Sequence, residues 1–123
     1  MKKLISEAPE GIDEELEICA IDEPGPGGAF HVYVVANPQG EPGSWTQGIH
    51  FQKGPWQPGR QPNGLTIESL LTICIDRLES FQAGPFPCKE NQQALSSLRK
   101  ARKALYARTA DRLTRGVEGR TKP

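Results

Sequence analysis

From Lys89 to Arg115 the chain runs without a single glycine or proline, although the rest of it carries 13 Gly and 11 Pro. A breaker-free stretch this long, rich in Ala, Leu, Lys, Arg and Gln, has one regular option, the α-helix. Just upstream, Ile67, Leu70, Leu71, Cys74, Ile75, Leu78 and Phe81 recur at helical spacing behind Thr66, a residue suited to an N-cap. Gly84 followed by Pro85 ends that run. The spacing therefore predicts helices over 66–82 and 88–116, folded into an antiparallel hairpin by a short connection.

The N-terminal half has a different texture. Pro24–Gly28 (PGPGG), Asn37–Ser44 and Lys53–Gly64 are dense in Pro and Gly and read as loops. Between them lie three strand candidates, Glu17–Asp22, Phe30–Ala36 and Trp45–Gln52; the second is the strongest, rich in β-branched and aromatic residues with no breaker. Residues 1–16 read as an acidic, loosely ordered lead-in. The expected fold is α+β: a small N-terminal antiparallel sheet, then the hairpin. We expect one domain over 1–123, with a β-rich part at 1–64 and the hairpin with a basic tail at 65–123. Strand order and register are not readable. With 36% hydrophobic residues the chain is thinly supplied for a core, and a partner could complete it.

Formal net charge is zero, but it is unevenly spread. Residues 1–30 hold eight acids and two lysines, and residues 89–123 hold ten Lys/Arg against three acids. Such a basic segment attracts anions whatever the total. Three cysteines, an odd count with no C-x-x-C pair, argue against a secreted disulfide scaffold and a zinc knuckle. There is no signal-peptide pattern and no long apolar run, so a cytoplasmic protein without a membrane span is expected.

On the long helix, Asn91, Ala94, Leu98, Ala101, Leu105, Arg108 and Arg112 are spaced 3, 4, 3, 4, 3, 4 and share a face. The face is apolar in its middle and ends in two arginines. Such arginines either snorkel into water past the core or mark an anion site. The long helix, about 43 Å by this reading, outruns the first, about 25 Å. The overhang is expected after about Leu105 and favours a second chain.

No constellation supports an enzyme, a cofactor or a metal. His31 and His50 lack companions at ligand spacing. Cys74 reads as core, and Cys88 has no histidine base placed beside it. Asp76 and Glu79 read as ion-pair partners of Arg77 or of the second helix. Gly25, Gly27 and Gly28 lack the strand-to-helix setting of a phosphate loop. Trp45 and Trp56 are loop aromatics, serving as core plugs or facing a ligand.

Two segments carry a resemblance. The first is Leu78-Glu79-Ser80-Phe81-Gln82-x-Gly84-x-Phe86-x-Cys88-Lys89-Glu90-Asn91. The second is Arg108-Thr109-x-x-Arg112-x-x-Arg115-Gly116-Val117-Glu118-Gly119. Together they resemble the helical hairpin shared by the Thoeris anti-defence type one and anti-CBASS type two phage sponges. Ile49-His50-Phe51-Gln52-Lys53-Gly54-Pro55 brings the N-terminal half closer to the Thoeris type. The match spans roughly 46–121 and departs at Arg120, which separates Gly119 from Thr121. The resemblance implies a phage protein that sequesters, without degrading, cyclic ADP-ribose isomers of the glyco-cyclic type made by TIR-domain defence enzymes. It also implies a homo-oligomer, dimer or hexamer, in the infected host's cytoplasm, and leaves room for a second site for cyclic trinucleotides. By carry-over, Phe81 would stack on adenine, Asn91 would hydrogen-bond the ligand, and Arg108 and Arg112 would grip the pyrophosphate. Arg60, Arg77, Lys89 and Arg115 are unranked candidates for further phosphate contacts.

Seventeen residues separate Asn91 from Arg108, about 26 Å of straight helix. One mononucleotide-sized ring cannot reach both within a chain, so a shared site must lie between two chains. Two alternatives stay open. One is a sponge for CBASS cyclic di- and trinucleotides only. The other is a nucleic-acid-binding protein using the basic C-terminal helix, with affinity falling steeply in salt.

Overall fold

The computed structural model describes residues 2–4, 16–37, 46–54, 59 and 61–114. Outside them lie Trp45, Trp56, Arg60, Arg115 and Arg120, the Arg-Gly-Val-Glu-Gly ending, most of the 1–16 lead-in, and parts of the two later loops. The fold is α+β, a four-stranded antiparallel sheet followed by two helices. The chain divides into two compact units. One holds the strands, and the other holds the helices.

The sheet is a meander in which β1 (Lys2–Lys3), β2 (Glu17–Ala20), β3 (Val32–Ala36) and β4 (Thr46–His50) pair in chain order. The register sets Cys19 opposite Val34 and Tyr33 opposite Ile49. All three expected strands are present, each shorter than its apolar run. Strand β1 is an addition to the sequence reading, which placed it in the lead-in. Two lysines carry no strand signal. They pair with Ala20 and Cys19 at the sheet edge, where lysine is tolerated and discourages further pairing. Strand β3 is half-buried along its whole length instead of alternating, so neither of its faces is sealed. Tyr33 meets Phe51 edge to face at 5.7 Å. At the neck of the loop after β4, Asn63 accepts from Lys53 N at 2.7 Å and donates to Lys53 O at 2.8 Å.

The Pro24–Gly28 loop is organised by Asp22. Its carboxylate accepts the backbone N–H groups of His31 and Val32 at 3.0–3.1 Å. Burial pushes the Asp22 carboxyl up, but the Val32 and His31 N–H groups and the nearby imidazole outweigh it and hold the group below its usual range. The His31 ring lies so close to Gly25 that a Cβ there would collide with its Cε1. Glycine is needed at position 25 for space.

Helices α1 (Ile67–Ala83) and α2 (Lys89–Thr114) form the hairpin. Thr66 caps α1 as expected: its hydroxyl accepts from Ser69 N at 3.1 Å, and Ser69 Oγ accepts from Thr66 N at 2.9 Å. The stop at Gly84 works differently from the expected glycine cap. Gly84 is extended (φ −91°, ψ −163°), not left-handed. Pro85 is the cause, since a residue before proline is pushed out of the helical region.

The antiparallel register is set by three cross-helix contacts. Arg99 pairs with Glu79 at 3.5 Å, Arg102 donates to Thr72 Oγ1 at 3.1 Å, and Thr109 donates to Glu68 at 3.5 Å. Thr109 thus lies against the first turn of α1, so the overhang starts after Thr109 rather than after Leu105. The less exposed face of α2 is Asn91, Ala94, Leu95, Leu98, Arg102, Leu105, Thr109 and Arg112, with Leu95 alone buried. It is turned from the expected face: Ala101 and Arg108 are exposed, while Leu95 is 2% exposed. Apolarity favoured Ala101, but Arg102 lays its stem across the seam and satisfies its guanidinium on Thr72. In the hairpin only Ile75 and Leu95 are fully buried among the described residues.

Candidate ligand-binding site

Two turns of α1 and the start of α2 meet at the connection 84–88, and the sequence there builds a concavity. Leu78, Ser80, Phe81, Gly84, Pro85, Phe86 and Asn91 line a pocket of about 380 Å³. That volume lies at the low end of the range for small-molecule sites. Phe81 is 50% exposed and Phe86 84% exposed. Large apolar side chains so open to water suit a flat partner. Asn91 is half-buried, and its side-chain amide makes no hydrogen bond among the described residues.

The connection is held by its own polar groups. Gln82 accepts from Cys88 N and donates to Cys88 O, both at 2.9 Å. Asn91 N donates to Cys88 Sγ at 3.4 Å, so sulfur occupies the capping position of α2. This fixes where Asn91 leaves the helix start. Lys89 and Cys88 line a second, shallower concavity with Gln92 and Ser96, of about 780 Å³. Lys89 therefore borders this second concavity instead of the Phe81 pocket.

Phe81 and Asn91 are thus brought together, as expected, but Arg108 and Arg112 are not with them. Helix α2 is continuous from Lys89 to Thr114, which leaves Arg108 about 26 Å from Asn91 along the axis. Arg108 is exposed and forms no ion pair among the described residues; Arg112 is half-buried in the last turn. At about 100° per residue, Phe81 and both arginines nonetheless fall on the same broad side of the hairpin.

Sequence reasoning missed two contacts, the ring contact of Arg77, which it named only as an unranked phosphate candidate, and the clip made by Gln82. Arg77 sets its guanidinium 5.4 Å from the centre of the Phe81 ring. The 77–81 spacing of one helical turn was the available signal. Glu79, expected to pair with Arg77 or with α2, pairs with Arg99 of α2. Gln82 was the other, and nothing in its identity announced a clip to residue 88.

Other candidates sit elsewhere. His31 Nδ1 is 3.7 Å from Asp22 Oδ2, and His50 is exposed on β4. Cys19 is buried, and burial followed by its hydrogen bond to Glu17 pushes its thiol up. Among the described residues no three His, Cys, Asp or Glu side chains gather around a metal position, and no helix is long and apolar enough to cross a membrane.

The 42% identity of 71 residues links the chain to the Thoeris anti-defense 1 protein of Bacillus phage SBSphiJ7. That alignment covers 58% of this chain and 49% of the relative, so the match spans about half the relative's length. Residues 47–110 match the family model described as Acb2/Tad1, hairpin domain. The matched segment includes Phe81, Asn91 and Arg108 and stops just short of Arg112. It takes in most of β4, all of α1 and α2 as far as Ala110, more than half of the chain, which therefore belongs to the Acb2/Tad1 hairpin-domain family.

Proposed function

We propose that this protein is a phage anti-defence sponge that binds and holds cyclic ADP-ribose-type immune messengers intact, silencing TIR-based Thoeris signalling inside the infected host. The observation that carries the reading is the split of the site. An aromatic face and a carboxamide share one pocket at the turn, while two cations on the same side of the hairpin lie a helix length away. A two-fold pairing of hairpins sets the turn of one chain against Arg108 and Arg112 of the other, giving two equivalent sites per dimer. Phe81 stacks on the base, Asn91 hydrogen-bonds its polar edge, and the arginines hold the pyrophosphate.

The hairpin's own surface supports a second copy. Ile73, Phe81, Phe86, Tyr106 and Leu113 are each at least half exposed. A pair of helices with two fully buried residues gains much by covering them. Hexamers built from such dimers, and a separate cyclic trinucleotide site, belong to the same proposal.

A second reading is compatible with the family model, whose description names both Acb2 and Tad1: a sponge for cyclic di- or trinucleotides only. One experiment tests both. The protein is incubated with a glyco-cyclic ADP-ribose isomer or with a cyclic trinucleotide, heat-denatured, and the supernatant assayed. Depletion before heating and intact release after it support the sponge. Release of an altered product means an enzyme. Failure to deplete the ADP-ribose isomer while depleting the trinucleotide favours the second reading. Failure to deplete either, with salt-sensitive binding of DNA, would point to the basic helix as a nucleic-acid surface.

A further inference from the structure

We propose that Arg77 is a positioning residue for the base-stacking face: it backs one side of the Phe81 ring and leaves the other side to the ligand. The inference rests on the stacking role given to Phe81 above. Its own basis is the 5.4 Å separation between the Arg77 guanidinium and the Phe81 ring centre. Both residues are exposed on α1, one turn apart.

An exposed phenylalanine on a helix samples several ring orientations, and a ligand must immobilise it before stacking. A guanidinium over one face restricts the ring at little cost, because arginine is planar and stacks on aromatics. The cation also draws density from the ring, which favours stacking of an electron-rich purine on the opposite face. Arg77 is available for this. No acid stands three or four positions from it along α1, Glu79 two positions on is held by Arg99 at 3.5 Å, and no ion pair engages Arg77 among the described residues. Once a base covers the open face, the cation–ring contact is partly desolvated and gains strength. Arg77 thus acts through Phe81 and not as a phosphate clamp of its own.

A double-mutant cycle on the full chain tests this, with a glyco-cyclic ADP-ribose isomer as probe and calorimetric titration as readout. Arg77→Met keeps the stem and removes the charge; Phe81→Leu keeps bulk and removes the ring. Arg77→Met is expected to weaken binding by about five- to thirtyfold. In the Phe81→Leu background the same change should add nothing, and Arg77→Lys should restore most of the affinity with helix content unchanged. Wild-type affinity in Arg77→Met overturns the inference, as does multiplication of the two losses in the double variant, which would make Arg77 an independent phosphate contact. If Phe81→Leu alone leaves affinity unchanged, the stacking role of Phe81 falls, and this inference with it. If only Arg77→Met is silent, the stacking role stands and this inference alone is lost.

Discussion

Gln82 and Cys88 grip each other across the hairpin connection as two strands would, one carboxamide matched to one peptide group at 2.9 Å on each side. The clip ties the last turn of α1 to the residue that caps α2. It lies between Phe81 and Asn91 in the chain, so the pocket's shape depends on it. Gln82→Ala should cost about 1–2 kcal/mol for two partly exposed hydrogen bonds, read as a lower denaturation midpoint. It should also weaken messenger binding although residue 82 is absent from the proposed contacts. An unchanged midpoint would show that the clip is ornamental.

Arg108→Ala with Arg112→Ala should abolish capture while leaving the helices folded. Two charge-assisted contacts at roughly 1.5–3 kcal/mol each correspond to about 10²- to 10⁴-fold in affinity. Calorimetric titration reads the loss, and circular dichroism with light scattering checks fold and assembly. Retained affinity would sink the site assignment.

Mixing complements this. Heterodimers of Phe81→Ala and Arg108→Ala/Arg112→Ala chains should regain one working site in two, because both lesions can fall in the same composite pocket. Native mass spectrometry with the messenger would count one ligand per mixed dimer. Zero ligands would place all four residues in one chain's site, against the 26 Å of helix between them.

In the sheet unit, Gly25→Ala should destabilise by about 1–3 kcal/mol, since the new methyl meets the His31 ring. Adding His31→Ala should recover much of the loss. Additive losses in the double variant would show that position 25 is constrained by something other than the imidazole.

Asp22 carries the pH dependence of the same loop. Its carboxyl is held below the ordinary value of about 3.9, so its contribution is fully present above that pH and disappears as the pH falls through the lower, folded-state value. The stability gap between the wild type and Asp22→Asn should therefore be flat from pH 7 to about 5 and close in stronger acid. A gap that widened on acidification would contradict the hydrogen bonds from His31 and Val32.

Helix limits, the Thr66 cap and three of the four strands were legible because they rest on local chemistry: breakers, spacing and side chains that accept backbone N–H groups. The meander order was not, since pairing among short strands leaves no mark on any one of them. The seam of α2 was misjudged at Ala101 and Arg108 for a related reason. Ala101 is more apolar than Arg102, but a small side chain covers less of the partner helix than an arginine stem anchored on Thr72. At the site, Phe81 and Asn91 could be named from motif, and their meeting followed from the hairpin. The Arg77 contact needed the actual ring orientation, and the Gln82 clip needed the actual path of the connection.

The unbroken run of α2 makes it a gauge rod. It fixes both the distance and the angle between Asn91 and Arg108, with no glycine or proline at which the setting could be adjusted. Inserting or deleting one residue between them would swing Arg108 by about 100° to a different side of the hairpin. Adding seven would keep the side and shift the spacing by about 10 Å, as whole heptads do. Changes of chain length are therefore tolerable in the glycine- and proline-rich loops of the sheet half. Along the rod, a single added or lost codon would separate the two ends of the site even in a protein that still folds.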